Sequence, residues 1–105
     1  MTIEFQTAYG KIPEILVSKI RNEILKLSHL NKDISRAEVL LKVEETLRPG
    51  DNKVCEIRLI GYGDELLSHS RTTNFTKSAK ESINELKRMV NQQVPSEEIF
   101  STVEV

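Results

Sequence analysis

Lys77, Lys80, Lys87 and Arg88 share one arc of a helix when residues are placed at about 100° intervals, and Asn84 and Asn91 fall within the same arc. Glu81 and Glu85 lie to one side of it, so no acid interrupts the cations. Like charges on one helical face repel one another, and a face that serves only solubility more often interleaves the two signs. The chemistry such an arc suits is the binding of a polyanion, where each phosphate neutralised by Lys or Arg releases condensed counterions. An earlier helical stretch adds Lys19 and Lys26 on one flank with Asn22 between them, Arg21 on the other flank, and Lys32 just beyond its end. The competing reading is that these side chains merely solvate two surface helices.

Other chemistry is sparse. His29 falls at the end of the first helix, where a protonatable ring suits the helix dipole. His69 alternates outward on a strand, beside the cross-strand candidates Glu56 and Arg58, and reads as a surface pair. Cys55 is the single cysteine, so it has no internal disulfide partner, and its alternation turns it toward the core as an inert apolar group. No second thiol or nearby histidine completes a metal-ligand spacing. Gly61-Tyr62-Gly63 has glycines two apart, but a strand follows where a phosphate cradle needs a helix. The expectation is a protein that is not an enzyme and needs no cofactor, metal or small-molecule substrate. Aromatic residues interleaved with the cations, as in single-strand stacking platforms, are missing, so recognition of folded RNA by shape and phosphate fits better than base reading.

The elements that must carry these residues follow from periodicity. Ile3, Phe5 and Thr7 alternate with polar neighbours as a short strand, and Tyr9 and Gly10 close it. Pro13 opens a helix whose stripe is Leu16, Ile20, Ile24 and Leu27, with Ile12 and Leu30 at the margins. Ala37, Val39, Leu41 and Val43 then alternate inward, "RPGDN" (48–52) reverses the chain, and Cys55, Ile57 and Leu59 repeat the alternation. In that reversal Pro49 fixes its own backbone angle, and Gly50 accepts the positive φ of a type II turn. After Gly61 and Gly63 the strand "ELLSHSR" (65–71) places Leu66, Ser68 and Ser70 inward, the small serines allowing a helix to approach closely. Asn74 caps a second helix with the stripe Phe75, Ala79, Ile83, Leu86 and Val90.

The order strand, helix, three strands, helix makes an α+β two-layer sandwich: a four-stranded sheet, its first two strands parallel, with both helices on one face. The other face, with Glu38, Lys42, Glu44, Glu56, Arg58, His69 and Arg71, meets solvent. A chain of 105 residues suffices for one such domain. We expect the domain over 1–93 and a short acidic tail over 94–105, without leader or membrane span, in a reduced, cytoplasmic setting. The net charge of −1 hides an uneven layout: 11–32 and 74–93 hold nine bases against four acids, a joint +5. The last twelve residues hold three acids and no base.

Several stretches resemble one family. "VLLKVEE" (39–45), with Lys26-Leu27 before it, "ELLSHS" (65–70), and the closing helix with Ala79, Ile83 and Leu86 are similar to the ribosome hibernation promoting factors and ribosome-associated inhibitor, also called protein Y or sigma modulation proteins. The resemblance runs from about Thr2 to Gln93. It implies a fold related to double-stranded RNA-binding domains, and binding to ribosomal RNA in the decoding region of the small ribosomal subunit through the two-helix side. It also implies a stress response, in which the factor lowers translation by occupying the subunit interface when growth slows. Lys19, Lys26, Lys77, Lys80, Lys87 and Arg88, with Arg21 and Lys32, are the expected RNA-binding residues, in a short-form protein that is a monomer when free. The chain departs from the family at Asn74-Phe75-Thr76, where an acidic cap and an aromatic are usual, at Glu23, where a lysine is common, and at Asn91 to Gln93, in place of a lysine-rich end. The alternative is a protein-interaction module that binds a translation or transcription factor through the open sheet face, or a binder of another structured RNA.

Overall fold

In the computed structural model of the chain, the elements run β1 (Thr2–Thr7), α1 (Glu14–Leu30), β2 (Ile34–Val43), β3 (Lys53–Gly61), β4 (Asp64–Thr72) and α2 (Phe75–Gln93). The structure describes residues 1–7, 12–44, 50–61 and 64–93. The expected stop at Tyr9 and Gly10, the start of the Pro-Gly reversal, the Tyr62-Gly63 turn and the acidic tail lie outside these residues.

The sheet order is β1-β2-β3-β4. β1 pairs parallel with β2, Ile3 opposite Ala37 and Phe5 opposite Val39, because α1 carries the chain back across the sheet before β2 begins. β2 with β3 and β3 with β4 are antiparallel, Leu41 opposite Cys55 and Ile57 opposite Ser68. Both helices cover one face. Leu16, Ile20, Ile24 and Leu27 of α1 and Ala79, Ile83, Leu86 and Val90 of α2 form one cluster with Ala37, Val39, Leu41, Cys55, Ile57 and Leu59. The sandwich and its inward stripes are those the sequence predicts. No described helix is long and apolar enough to cross a membrane.

Two glycines have defined tasks. Gly50 sits at φ +107°, the left-handed region the reversal needs, in open space. Gly61 instead accommodates a close approach, since a Cβ there would lie 2.5 Å from the Asp33 carbonyl oxygen. That carbonyl is fixed by the end of α1, where Asn31 donates its N–H to Leu27 O at 3.1 Å and its side chain accepts from Asp33 N at 3.0 Å.

Small polar residues set the distance between α2 and the sheet. Ser82 Oγ donates to the Cys55 carbonyl at 2.8 Å and lies 3.0 Å from Ser70 Oγ. Ser78 Oγ donates to the Lys53 carbonyl and lies 2.7 Å from Thr72 Oγ1. These hydroxyls are buried, and their bonds offset the desolvation that unpaired burial would cost. The inward serines of β4 were legible in the alternation. Ser82, the partner of Ser70, and Ser78, the partner of Thr72, were not, because serine in a polar helix reads as solvent-facing. Ser68 Oγ is buried without a hydrogen-bond partner among the described residues.

Candidate nucleic-acid interface

The cap of α2 fixes which way its cations point. Asn74 Oδ1 accepts from Lys77 N at 2.7 Å, so the helix starts in the register that turns Ala79, Ile83, Leu86 and Val90 into the core and the basic arc away from it. α1 starts at Pro13, whose carbonyl accepts from Leu16 N and Val17 N at 3.0 and 3.2 Å. Since β1 and β4 run in the same direction and each feeds a helix returning over the same face, α1 and α2 lie parallel.

Between them runs a groove of about 430 Å³. Its floor is apolar, with Leu16 and Ile20 from one helix and Ala79 and Ile83 from the other. Lys19, Asn22 and Lys26 rise on the α1 side, and Thr76, Lys80, Asn84 and Lys87 on the α2 side, while Glu23 lies between the two rims. Of the eight cations singled out in the sequence, the fold brings Lys19, Lys26, Lys80 and Lys87 into this groove. Lys77 and Arg88 lie about 60–100° further round α2, on its outward crest. Arg21 is on the far flank of α1, its guanidinium 5.4 Å from the Phe5 ring centroid, and Lys32 is exposed in the turn after α1. The +5 ascribed to the two segments narrows accordingly: Lys11 is outside the described residues, Lys32 is in a turn, and the helices themselves carry +3, seven bases against four acids.

The acid-free arc is a property of α2 alone, because α1 supplies a carboxylate across the groove. Glu23 Oε2 lies 3.0 Å from Lys87 Nζ, and Glu23 Oε1 lies 3.5 Å from Lys26 Nζ. Glu23 Oε2 has almost no solvent exposure of its own, and the Lys87 ammonium is its neighbour. Contact with Lys87 holds the Glu23 carboxyl below its ordinary 4.5, partial burial opposes it, and the charges of Lys87 and Lys26 add to the lowering. Its ionic contribution to stability is therefore present above 4.5 and is lost as the pH falls through the depressed value. Lys19, Lys77, Lys80 and Arg88 make no ion pair within the described residues.

The opposite face of the sheet treats charge differently. Arg36 reaches Glu4 at 2.7 Å and Glu38 at 3.0 Å, and Arg58 reaches Glu65 at 2.8 Å and Glu38 at 3.5 Å. Lys42 lies 3.6 Å from Glu56, and Arg71 3.8 Å from Glu44. His69 stands 3.8 Å from Glu56, the surface pair its alternation predicted. Val54, on this face between its cross-strand neighbours Lys42 and Arg71, is fully buried, as expected where long charged side chains lay their stems over apolar surface. Cys55 faces the core, where burial pushes its thiol up to about 12, out of reach of nucleophilic chemistry at neutral pH. Among the described residues no cluster of three or more His, Cys, Asp or Glu is disposed to hold a metal ion.

No protein-family model matches the sequence, and comparison with curated proteins gives no match. Solved structures do match. A ribosomal subunit interface protein from Coxiella burnetii superposes with a TM-score of 0.73 at 11% identity, over 89% of this chain and 97% of that one. The N-terminal domain of protein Y from Thermus thermophilus superposes with a TM-score of 0.66 at 12% identity, over 87% of this chain and 93% of that one. This chain has their fold. It is also the fold that the resemblance of "VLLKVEE" and "ELLSHS" implied, so two independent routes arrive at one architecture. At such identity the likeness speaks for the backbone, and the groove must be argued on its own side chains.

Proposed function

We propose that this protein is a cytoplasmic, non-enzymatic factor that binds the small ribosomal subunit and lowers translation by occupying its decoding region. The observation that carries this reading is the groove between α1 and α2, with lysines on both rims and two further cations on the adjoining crest. The fold shared with a ribosomal subunit interface protein and with protein Y supports it. Residues 1–93 form the binding domain in this reading, and the acidic 94–105 a tail.

Rim lysines on two parallel helices can hold phosphates on either side of an RNA strand, Lys19 and Lys26 from one side and Lys80 and Lys87 from the other. Lys77 and Arg88 extend the contact outward, and Arg21 and Lys32 add long-range attraction. Affinity then falls with salt, by up to about 0.9 log units per contacted phosphate per log unit of salt. On the open sheet face most charges already neutralise one another, which leaves little field for a second charged partner there.

Sedimentation of purified protein with ribosomes at low salt tests the proposal. We expect co-sedimentation with the small subunit, and its loss in Lys80→Glu/Lys87→Glu. Protein that remains free of ribosomes at low salt, or a double variant that sediments as before, refutes it.

A further inference from the structure

A phosphate that draws Lys87 toward itself uncovers a carboxylate. Lys87 Nζ lies 3.0 Å from Glu23 Oε2, an oxygen with almost no solvent exposure of its own, so Lys87 is that oxygen's partner. Ionised, Glu23 can only accept, and a partly buried carboxylate stripped of its partner is costly. A groove of lysines alone would take any polyanion. This one disfavours a ligand that brings negative charge and nothing else, and favours one that supplies donors to Glu23 in exchange for Lys87.

Resting on the RNA-binding reading above, we propose that the groove takes an unstacked guanine of single-stranded RNA. Glu23 accepts from the guanine N1–H and N2–H, and the rim lysines hold the flanking phosphates. Among the four bases only guanine presents two adjacent donors on its Watson–Crick edge, the arrangement that the two oxygens of one carboxylate accept together. Adenine and cytosine set an acceptor beside their amino group, which a carboxylate repels, and uracil sets its one donor between two carbonyls. The methylene stems of the rim lysines, over a nearly buried floor of Leu16, Ile20, Ala79 and Ile83, supply the aliphatic bed on which a flat extruded base can lie without an aromatic partner. The volume of about 430 Å³ falls within the range of small-molecule sites, roughly 300–1,000 Å³. Glu23 is thereby the specificity-determining residue of the groove.

The test is fluorescence-anisotropy competition on the full chain with single-stranded RNA octamers, uridine throughout except for one central guanine, inosine, adenine or uracil. Guanine binds roughly tenfold tighter than adenine or uracil, the lower part of the range for a bidentate base contact, and inosine, lacking the N2 amino group, falls between. Glu23→Gln binds every octamer at least as tightly, because a negative charge leaves the groove, and its guanine-to-adenine ratio falls toward one. Equal affinity for guanine and adenine in the unaltered protein, or a preference that survives Glu23→Gln, overturns the assignment while leaving the phosphate-binding reading in place. Absence of binding to all four at low salt overturns the assignment, while the ribosome-binding reading stands or falls by sedimentation.

Discussion

The two outer surfaces of this sandwich are built from the same residue types and behave in opposite ways. On the helix side seven bases face four acids, and among the described residues five of those cations make no ion pair. On the open sheet face Arg36, Lys42, Arg58 and Arg71 stand among Glu4, Glu38, Glu44, Glu56 and Glu65, and each cation has a carboxylate within ion-pair distance. The difference comes from geometry. Strands about 4.8 Å apart bring opposite charges within reach directly, as at Glu38 and Arg58, or diagonally, as at Lys42 and Glu56, whereas the rims of two helices are separated by a groove that, among the described residues, Glu23 alone bridges. Paired charges cancel within a few ångströms; unpaired ones project a field that a polyanion feels out to a Debye length, about 8 Å at physiological salt.

Truncation separates the surfaces most sharply. Leu86→Ala, at a fully buried position under α2, is expected to cost about 2–5 kcal/mol in denaturant unfolding. Leu67→Ala on the open face, where the side chain is 48% exposed, should stay within about 0.5 kcal/mol; a larger loss there would mean that this face packs against something. Charge reversal comes next. Lys80→Glu/Lys87→Glu should weaken RNA binding on the order of a hundredfold at low salt and flatten its salt dependence by nearly two phosphate contacts, while Arg58→Glu/Arg71→Glu should change it less than threefold. Equal losses from both pairs would erase the distinction drawn here.

The core between the two surfaces has a pH signature. Because the Cys55 thiol is raised from 9.0 to about 12 in the folded protein, the unfolded chain releases that proton first. Stability should therefore decline as the pH rises above 9.0, by up to about 1.4 kcal/mol per unit. Cys55→Ala should lack that component, which parallel unfolding curves from pH 8 to 10.5 would reveal. The smallest effect belongs to the sheet lattice: Glu38→Gln loosens contacts to both Arg36 and Arg58, yet exposed pairs of this kind are worth about 0–1 kcal/mol. A cost above that would make the lattice a structural element in its own right.

Much of the fold was legible because short-range rules govern it. Alternation at Val39, Leu41, Cys55, Ile57 and Leu59, the four-and-three spacing of Leu16, Ile20, Ile24 and Leu27, and the capping side chain of Asn74 each act within a few residues, and each appears as read. The basic arc of α2 was legible for the same reason. Its separation into groove and crest was not, since Lys80 and Lys77 differ only in which one turns toward α1. Glu23 showed in the sequence as a departure from a resemblance, but its contact with Lys87 spans 64 positions and no local pattern encodes it. Ser78 and Ser82 were missed because their partners lie on β3 and β4.

The sequence by itself therefore determined the elements, their inward faces and the surplus of cations on the helices, all properties of single segments with a fixed period. The tertiary structure decided which cations share a groove, which carboxylate answers them and which hydroxyls are buried. Those depend on distances between segments, and only packing of the two helices on one sheet sets them.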